Sequence, residues 1–579
     1  MIKKNLKDLK GLIQVSLGES PPDLVIRDAS ILDVFSGTFF RGHIEVYKSW
    51  IAFVGDKAPY TGDKTVVVDG RGKTAVPGYV DAHGHTDLFY NPSAFADAAV
   101  TRGGTTVFSD AVDMVNSIGV SGFVEVLKAN DGFALKYLWS FPAVYPSYPE
   151  VEGGELYSID DICKFFSDYR ECIAISEVSS YARILKSDDS ILEKMLLAKF
   201  YGKNIEGHTL GASYDKLNAL AAAGITSCHE SVTGDDLRNR VRLGLYAMIR
   251  HSSIRSDLEE LVRAACTLPK DSLMLVSDGI LPDDLCEKGY LDFVIREAIG
   301  FGLDPVDAIK MTTLNPARYL KQEADIGSIA PGRIADILLL EDISRPTPVK
   351  VIERGRVVSE EGKLVVESAP FPITGNRHNP YVFDSVDKDE LRIESGGGKE
   401  LVPVIDLVDK TVTRRFDHVM RRDGDSLLSH REEDIRKALY SRRDKKHWGK
   451  GFVRGIGADI GGIALTVAHE THGLLILGFD DDDMALAGNT ALAMGGGIVL
   501  ADKGKILCSL SLPIGATMSS LKVGELAREL TKVKRMMARL GSLLADPLLT
   551  MSYITSPSII DLRLTVSGIY DVRKGRIVF

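Results

Sequence analysis

The 579-residue chain reads as an α/β protein: a (β/α)8 barrel of the TIM type, with a small β-sheet domain flanking it and a further α/β domain at its C-terminal side. Three observations predict this. Short β-rich runs separated by turn residues occupy residues 1–75 and return at 325–366. Between them, over 76–324, strand-like apolar runs alternate with helical patterns, the order expected of a parallel sheet built from βα units. Beyond a Gly- and Pro-containing linker at 367–400, a second mixture of strand and helix patterns fills 401–579.

In chain order, LVIRDASILDV, HIEVYKSWIAFVG and KTVVVDG predict a small antiparallel sheet, a texture that returns in ADILLLED, VKVIERGRVV and KLVVES. The barrel strands are expected in TAVPGYVDAHGH, GTTVFSD, LKYLWSFPAVYP, CIAISEVSS, NIEGHT, GITSCHES, GLYAMIRHS and LMLVSDG. SAFADAAVTRG, SIDDICKFFSDYR, ILEKMLLAKFYG, YDKLNALAAAG and DLEELVRAAC read as helices between them. After Asp292 a longer helical stretch, FVIREAIGFGLDPVDAIKMTTLNPARYL, leads out of the barrel. PFPITGNRHNPY and ESGGGKE mark the irregular linker. In the last domain IALTVAHE and GIVLADKGKILCSLSLP read as strands, EDIRKALYSRR and VGELARELTKVKRMMARLG as helices.

Composition narrows the classes. Hydrophobic residues at 45% and charged residues at 26% describe a soluble globular chain with a sizeable core. A net charge of -10 disfavours a nucleic-acid partner. The six cysteines show no C-x-x-C spacing, so neither a zinc ribbon nor a disulfide framework is expected, which fits a reducing cytoplasm. Lys and Asp interrupt the apolar residues of MIKKNLKDLKGLIQVSLGES, and no run reaches membrane-helix length; a cytoplasmic protein without a membrane partner is the expectation.

Residues two apart on a strand face the same way, so His83 and His85 would both point into the barrel mouth. Glu177 ends the fourth strand, His208 the fifth, His229 the sixth and Asp278 the eighth. Barrel enzymes place functional groups at these strand ends, and all six side chains are competent metal ligands.

This order of residues resembles the amidohydrolase superfamily. Within it, PGYVDAHGH, GGTTV, EGHTLGAS, HES, LGLYAMIR, DPVDAIKMTTLNPARYL, GSIAPGRIADILLLED, GFVRGIG, TVAHETH and DDDM with GGGIVL resemble the adenine deaminase family over nearly the whole chain. The resemblance implies that the two β-rich stretches form one sheet domain. It also implies a binuclear divalent metal site with His83, His85, Glu177, His208, His229 and Asp278 as ligands. Many relatives bridge their metals with a carboxylated lysine, but 171–181 holds none, which leaves Glu177 as the bridge. Such a shell suits Fe(II), Mn(II) or Zn(II); the resemblance favours manganese or iron.

The implied reaction is hydrolytic deamination of adenine, a small-molecule purine, to hypoxanthine and ammonia by attack of a metal-bound hydroxide on C6. Asp278 would shuttle the proton, with Glu177 and His229, or His208, assisting at the reacting centre. A homo-oligomer, as a dimer, is expected. His469 and His472 of AHETH match an AHDSH motif of the family and are candidate substrate contacts, together with Asp87 and Asp110. Glu230, next to His229, should face the other side of its strand. Asp480 to Asp483 read as the N-terminus of a helix, Gly495 to Gly497 as a turn, and Arg442 to Lys450 as a solvated basic surface.

Two loops depart from the family pattern. Thr86, Asp87 and Leu88 stand where Glu-Ser-Ser is common, and Ser109 to Asp113 replace an Asp-Pro-His-Glu run. The smaller, more apolar groups would admit a substituent on the exocyclic nitrogen, so N6-methyladenine is the alternative substrate. A cyclic-amide hydrolase and a non-catalytic ligand-binding protein are further alternatives.

Overall fold

The structure is a computed structural model and describes residues 3–153, 157–374, 381–394, 401–444 and 446–579. Its centre is a ring of eight strands: β1 (Tyr79–Gly84), β2 (Gly104–Ser109), β3 (Lys136–Phe141), β4 (Cys172–Val178), β5 (Asn204–Gly207), β6 (Ser227–Cys228), β7 (Tyr246–Arg250) and β8 (Leu273–Val276). β1 to β5 pair in parallel, as do β6 to β8. The two arcs meet where Thr226 N donates to Ile205 O at 3.0 Å. On the other side, His85 N donates to Asp278 O at 2.7 Å and Asp278 N to His83 O at 3.0 Å. All eight strands fall within the runs read as strands from the sequence, and their continuous burial reflects a sheet covered on both faces.

The strand period sorts the core. Val80, Ala82, Phe108, Leu138, Ala174, Met248, Met274 and Val276 join one buried cluster inside the ring. Tyr79, Val107, Tyr137, Trp139, Ile175, Ala247, Leu273 and Leu275, at the alternate positions, join the cluster that packs the helices. On that period His83 and Glu177 would fall on the helix side. The pairing register shifts between Asp81 and Gly84 on β1 and between Ile175 and Val178 on β4. These irregularities re-aim both side chains into the mouth.

Under the barrel lies a nine-stranded sheet. Ile337–Leu340 pairs with Thr74–Pro77, which joins the early and late stretches of chain. The sheet is mixed rather than antiparallel, because Leu24–Asp33 runs parallel to Val66–Asp69 and Thr74–Pro77. The hairpin Thr38–Tyr47 and Trp50–Gly55 consumes the direct return, so the chain re-enters the sheet in its original direction. A helix at Leu6–Leu17 precedes the sheet; Asn5 and Asp8 form its capping box, and Leu12 and Val15 are its buried face.

Other expectations are corrected. The stretch after Asp292 forms three helices, Leu291–Gly300, Pro305–Lys310 and Leu314–Tyr319, because Gly302 turns left-handed and Pro305 opens a new helix. EDIRKALYSRR contains a strand, Arg436–Arg442, buried between Trp448–Arg454 and Gly473–Gly478. Burial on both faces hides its alternation and leaves an accidental helical spacing. Arg443 of the basic cluster is buried, not solvated, and donates to the carbonyls of Asn116 and Ser117 at 3.0 and 3.2 Å. In the linker, residues 375–380 and 395–400 lie outside the described residues, and with them most of GNRHNPY and ESGGGKE.

The last domain is an eight-stranded sheet carrying the helix Asp481–Ala493, whose N-cap is Asp480, and the amphipathic helix Val523–Arg539. It sits over the barrel mouth. Met518–Ser519 pairs with Phe89–Tyr90 of the loop after β1, and Asn91 Nδ2 donates to Ser519 O at 2.9 Å. Among the described residues no helix is long and apolar enough to cross a membrane.

Candidate metal centre and cleft

β1 delivers His83 and β4 Glu177, and the residues just past β1, β5, β6 and β8 deliver His85, His208, His229 and Asp278. Glu177 Oε2 is the hub, with His229 Nε2 at 3.1 Å, His208 Nδ1 at 3.3 Å and His83 Nε2 at 3.8 Å. Asp278 Oδ1 lies 3.7 Å from His83 Nε2 and 3.6 Å from His85 Nε2. All are buried except His208, which is partly open to the cleft. Asp278 holds a left-handed backbone, φ 56°, where the chain turns off β8.

The residues fit a pair of divalent cations. His83 Nε2, which faces both Glu177 and Asp278, is buried without a hydrogen-bond partner among the described residues, an unfavourable state for a polar atom that a cation would relieve. Three overlapping trios have potential ligand atoms within 4.8 Å of one another: His83, His229 and Asp278; His83, His85 and Glu177; Glu177, His208 and His229. The carboxylates favour charge on two of these histidines, His83 and His208. Burial opposes the charge on His83, yet Glu206, Glu177 and Asp278 lift its pKa to about 9. Burial is likewise outweighed at His208, which Glu230 and Glu177 raise to about 10. His229 goes the other way, to about 4, through burial and the neighbouring His83. Burial favours the neutral acid at Glu177 too, but His208 and His229 hold its carboxyl well below the usual range.

Arg250, at the end of β7, was not singled out from the sequence. Its Nη1 lies 2.7 Å from Glu230 Oε1 and 2.9 Å from Asp278 Oδ2, in a buried position between β6 and β8. Glu230 was expected to face away and does not. β6 ends at Cys228, so the two-residue alternation stops and Glu230 turns inward, 3.6 Å from both His208 Nε2 and His229 Nε2.

These groups border a cleft whose other wall is the last domain: Thr411, His469, Glu470, Tyr553, Ser558 and Ile559. Of the four expected substrate contacts only His469 is part of the wall; its ring meets His85 edge-on at 5.5 Å. The others are corrected. His472 is buried behind it, 2.8 Å from Asp113 Oδ1. Asp110 is turned into the barrel, where its carboxylate accepts from the backbone N–H groups of Glu177 (3.0 Å) and Val112 (2.9 Å). Asp87 is buried beneath the wall with neither carboxylate oxygen hydrogen-bonded. Burial, with Asp113 and Asp110 nearby, holds its pKa well above the ordinary value. The strand-end rule would have found Arg250, and Glu470 lies inside the AHETH motif between the two histidines considered there; no signal in the sequence marks Tyr553.

Comparison with known proteins agrees with this geometry. Residues 74–359 match the model of the amidohydrolase family, and 410–576 that of the adenine deaminase C-terminal domain. The barrel and its nest of histidines and carboxylates thus define a hydrolase of the amidohydrolase class. Adenine deaminase of Moorella thermoacetica is 34% identical over 578 residues, 98% of this chain and 97% of that one. The enzyme of Kosmotoga olearia is 30% identical over 573 residues, 98% of each chain. The chain belongs to the adenine deaminase family. A crystal structure of dihydropyrimidinase from Brevibacillus agri covers 59% of this chain and 96% of its own, with a TM-score of 0.47 at 14% identity.

Proposed function

We propose that the chain catalyses the metal-dependent hydrolytic deamination of adenine to hypoxanthine and ammonia. The observation that carries this reading is Glu177 Oε2, a single carboxylate oxygen with nitrogens of three histidines within 3.8 Å, the donor set of a bridged cation pair. Full-length relatives named adenine deaminase support the substrate.

His83, His85, Glu177, His208, His229 and Asp278 would hold the cations. The nitrogen and oxygen donors suit manganese or iron(II), and zinc also fits. When bound, such a pair supplies water acidic enough to act as a nucleophile near neutral pH. Arg250 holds Asp278 Oδ2 and leaves Oδ1 facing His83 and His85. Asp278 Oδ1 is therefore the atom that takes the nucleophile's proton and returns it to the ring or to the departing nitrogen. Glu230 Oε1, fixed by the same guanidinium, faces His208 Nε2, the nitrogen opposite the one turned to Glu177, and so orients that ring. The roof formed by the last domain excludes bulk water and strengthens these interactions.

N6-methyladenine is the second reading, favoured by apolar groups beside Asp278. The tips of Ile254 and Leu88 both close on Gly279, so that a Cβ there would meet each at 2.8 Å, and Ile254 lines the cleft. A methyl group in such a place changes preference by roughly 10- to 200-fold. A reducing compartment suits the six free cysteines, and we place the protein in the cytoplasm as a homodimer, which sedimentation of the purified protein tests.

The deciding assay loads the protein with Mn(II) or Fe(II) and follows ammonia from adenine and methylamine from N6-methyladenine, with hydantoin as a cyclic-amide control. Ammonia from adenine that stops on chelation is expected. A higher kcat/KM for the methylated base reverses the substrate order, and turnover of hydantoin alone replaces the reading with a cyclic-amide hydrolase.

A further inference from the structure

We propose that Glu470 recognises the free purine base by accepting the N–H of its five-membered ring, so that the last domain selects nucleobase over N9-substituted purine. This rests on the deaminase reading above. Glu470 lies between the strands Gly462–Leu465 and Gly473–Gly478, on the side of the cleft opposite the barrel strands, and is 4% exposed. One of its carboxylate oxygens lies in a group with Glu177 and His469 whose members fall within 4.8 Å of one another, so it faces the same centre from above.

Its placement is over-determined. The backbone is left-handed, φ 63°, a conformation a glutamate holds only where neighbours enforce it. Here its N–H donates to Asp113 Oδ1 at 2.8 Å and its carbonyl accepts from Asn116 Nδ2 at 2.6 Å, both from the helix that follows β2. Oε2 accepts the hydroxyls of Ser556 at 3.0 Å and Ser558 at 2.7 Å. Among the described residues these hydroxyls reach Oε2 and no hydrogen bond reaches Oε1. The other carboxylates of the cleft belong to the barrel side: Arg250 holds one oxygen each of Glu230 and Asp278, and the histidines surround Glu177, while Glu230 Oε2 is buried deeper without a partner among the described residues. Glu470 Oε1 is thus an oriented, unengaged acceptor.

Adenine matches it in one way. With the C6 amino group at the reacting centre, the remaining ring edge offers acceptors and C–H groups except for a single N–H, on N7 or N9. A base substituted at N9 has lost that donor. A site built around a hydrogen bond to one group discriminates strongly against analogues that lack it, because its own polar atom is then left buried and unpaired.

The test compares metal-loaded wild type, Glu470→Ala and Glu470→Gln with adenine and 9-methyladenine, alongside metal content and hypoxanthine binding by calorimetry. Wild type should favour adenine. Glu470→Ala should lower kcat/KM for adenine roughly 10- to 150-fold, the worth of one hydrogen bond to a charged group, and weaken hypoxanthine by a similar factor with metal content intact. The preference over 9-methyladenine should fall with it. Glu470→Gln, which keeps a neutral acceptor and the side-chain volume, should lose less and serves if the alanine variant misfolds. Variants in which both substrates decline together, or neither changes, overturn the proposal while the deaminase reading stands. Wild type that releases no ammonia from adenine overturns both.

Discussion

Glu177 and Asp278 carry different burdens, and substitutions separate them. Glu177 Oε2 is the shared contact of three histidines, so Glu177→Ala should remove metal and activity together; full occupancy by elemental analysis in that variant would remove Glu177 from the shell. Asp278→Asn should keep much of the metal and lose more than about a hundredfold in kcat, since an amide cannot take the proton. Asparagine tolerates the left-handed backbone of Asp278, φ 56°, so the loss reports chemistry rather than strain. Arg250→Met leaves Asp278 and Glu230 buried without their cation. A loss of about 3–5 kcal/mol in denaturant melts is expected; an unchanged midpoint would show that the pair is satisfied otherwise. The six strand-end residues were legible because a barrel confines chemistry to one end of its strands. Arg250 obeyed the same rule. Glu470 did not, since its approach depends on how a separate domain docks.

Elements show where periodicity carries information and where it stops. Alternation along β1 and β4 sorts the core but puts His83 and Glu177 on the wrong face; the register shifts that correct this arise from pairing with neighbouring strands, which one sequence does not display. Arg436–Arg442 was misread because a strand buried on both faces has no polar face to betray its period. The short helix Pro149–Glu152 after β3 yields a prediction of its own. Among the described residues Glu152 Oε1 is buried without a partner, and burial, with Glu470 nearby, pushes its carboxyl up to about 8. The folded protein then keeps a proton that the unfolded chain has released. This contribution is full below the ordinary value of 4.5 and is lost as pH climbs through about 8. Glu152→Gln should flatten the fall of Tm across that window, and an unaltered profile would show that Glu152 is not its source.

At the scale of the molecule, the last domain is tied down as well as placed. Lys534 of the helix Val523–Arg539 sits 2.6 Å from Asp283, on the helix after β8, and 2.6 Å from Asp546. Lys534→Met leaves these two carboxylates without their shared cation, and a loss of about 1–3 kcal/mol, read as a lower Tm, is expected; no shift would assign the docking to apolar contacts alone.

The nine-stranded sheet adds a constraint on timing. One edge of Thr74–Pro77 pairs with the earlier Leu24–Asp33, but its other edge is filled by Ile337–Leu340, and Gly78 N waits for Asp336 O, on the far side of the entire barrel. As the chain leaves the ribosome, that other edge of Thr74–Pro77 is an open template for other strands until that distant segment emerges. Nascent chains halted before Ile337 should therefore be held by chaperones and vulnerable to proteases, and those halted beyond the sheet's last strand, Lys363–Leu364, released from both.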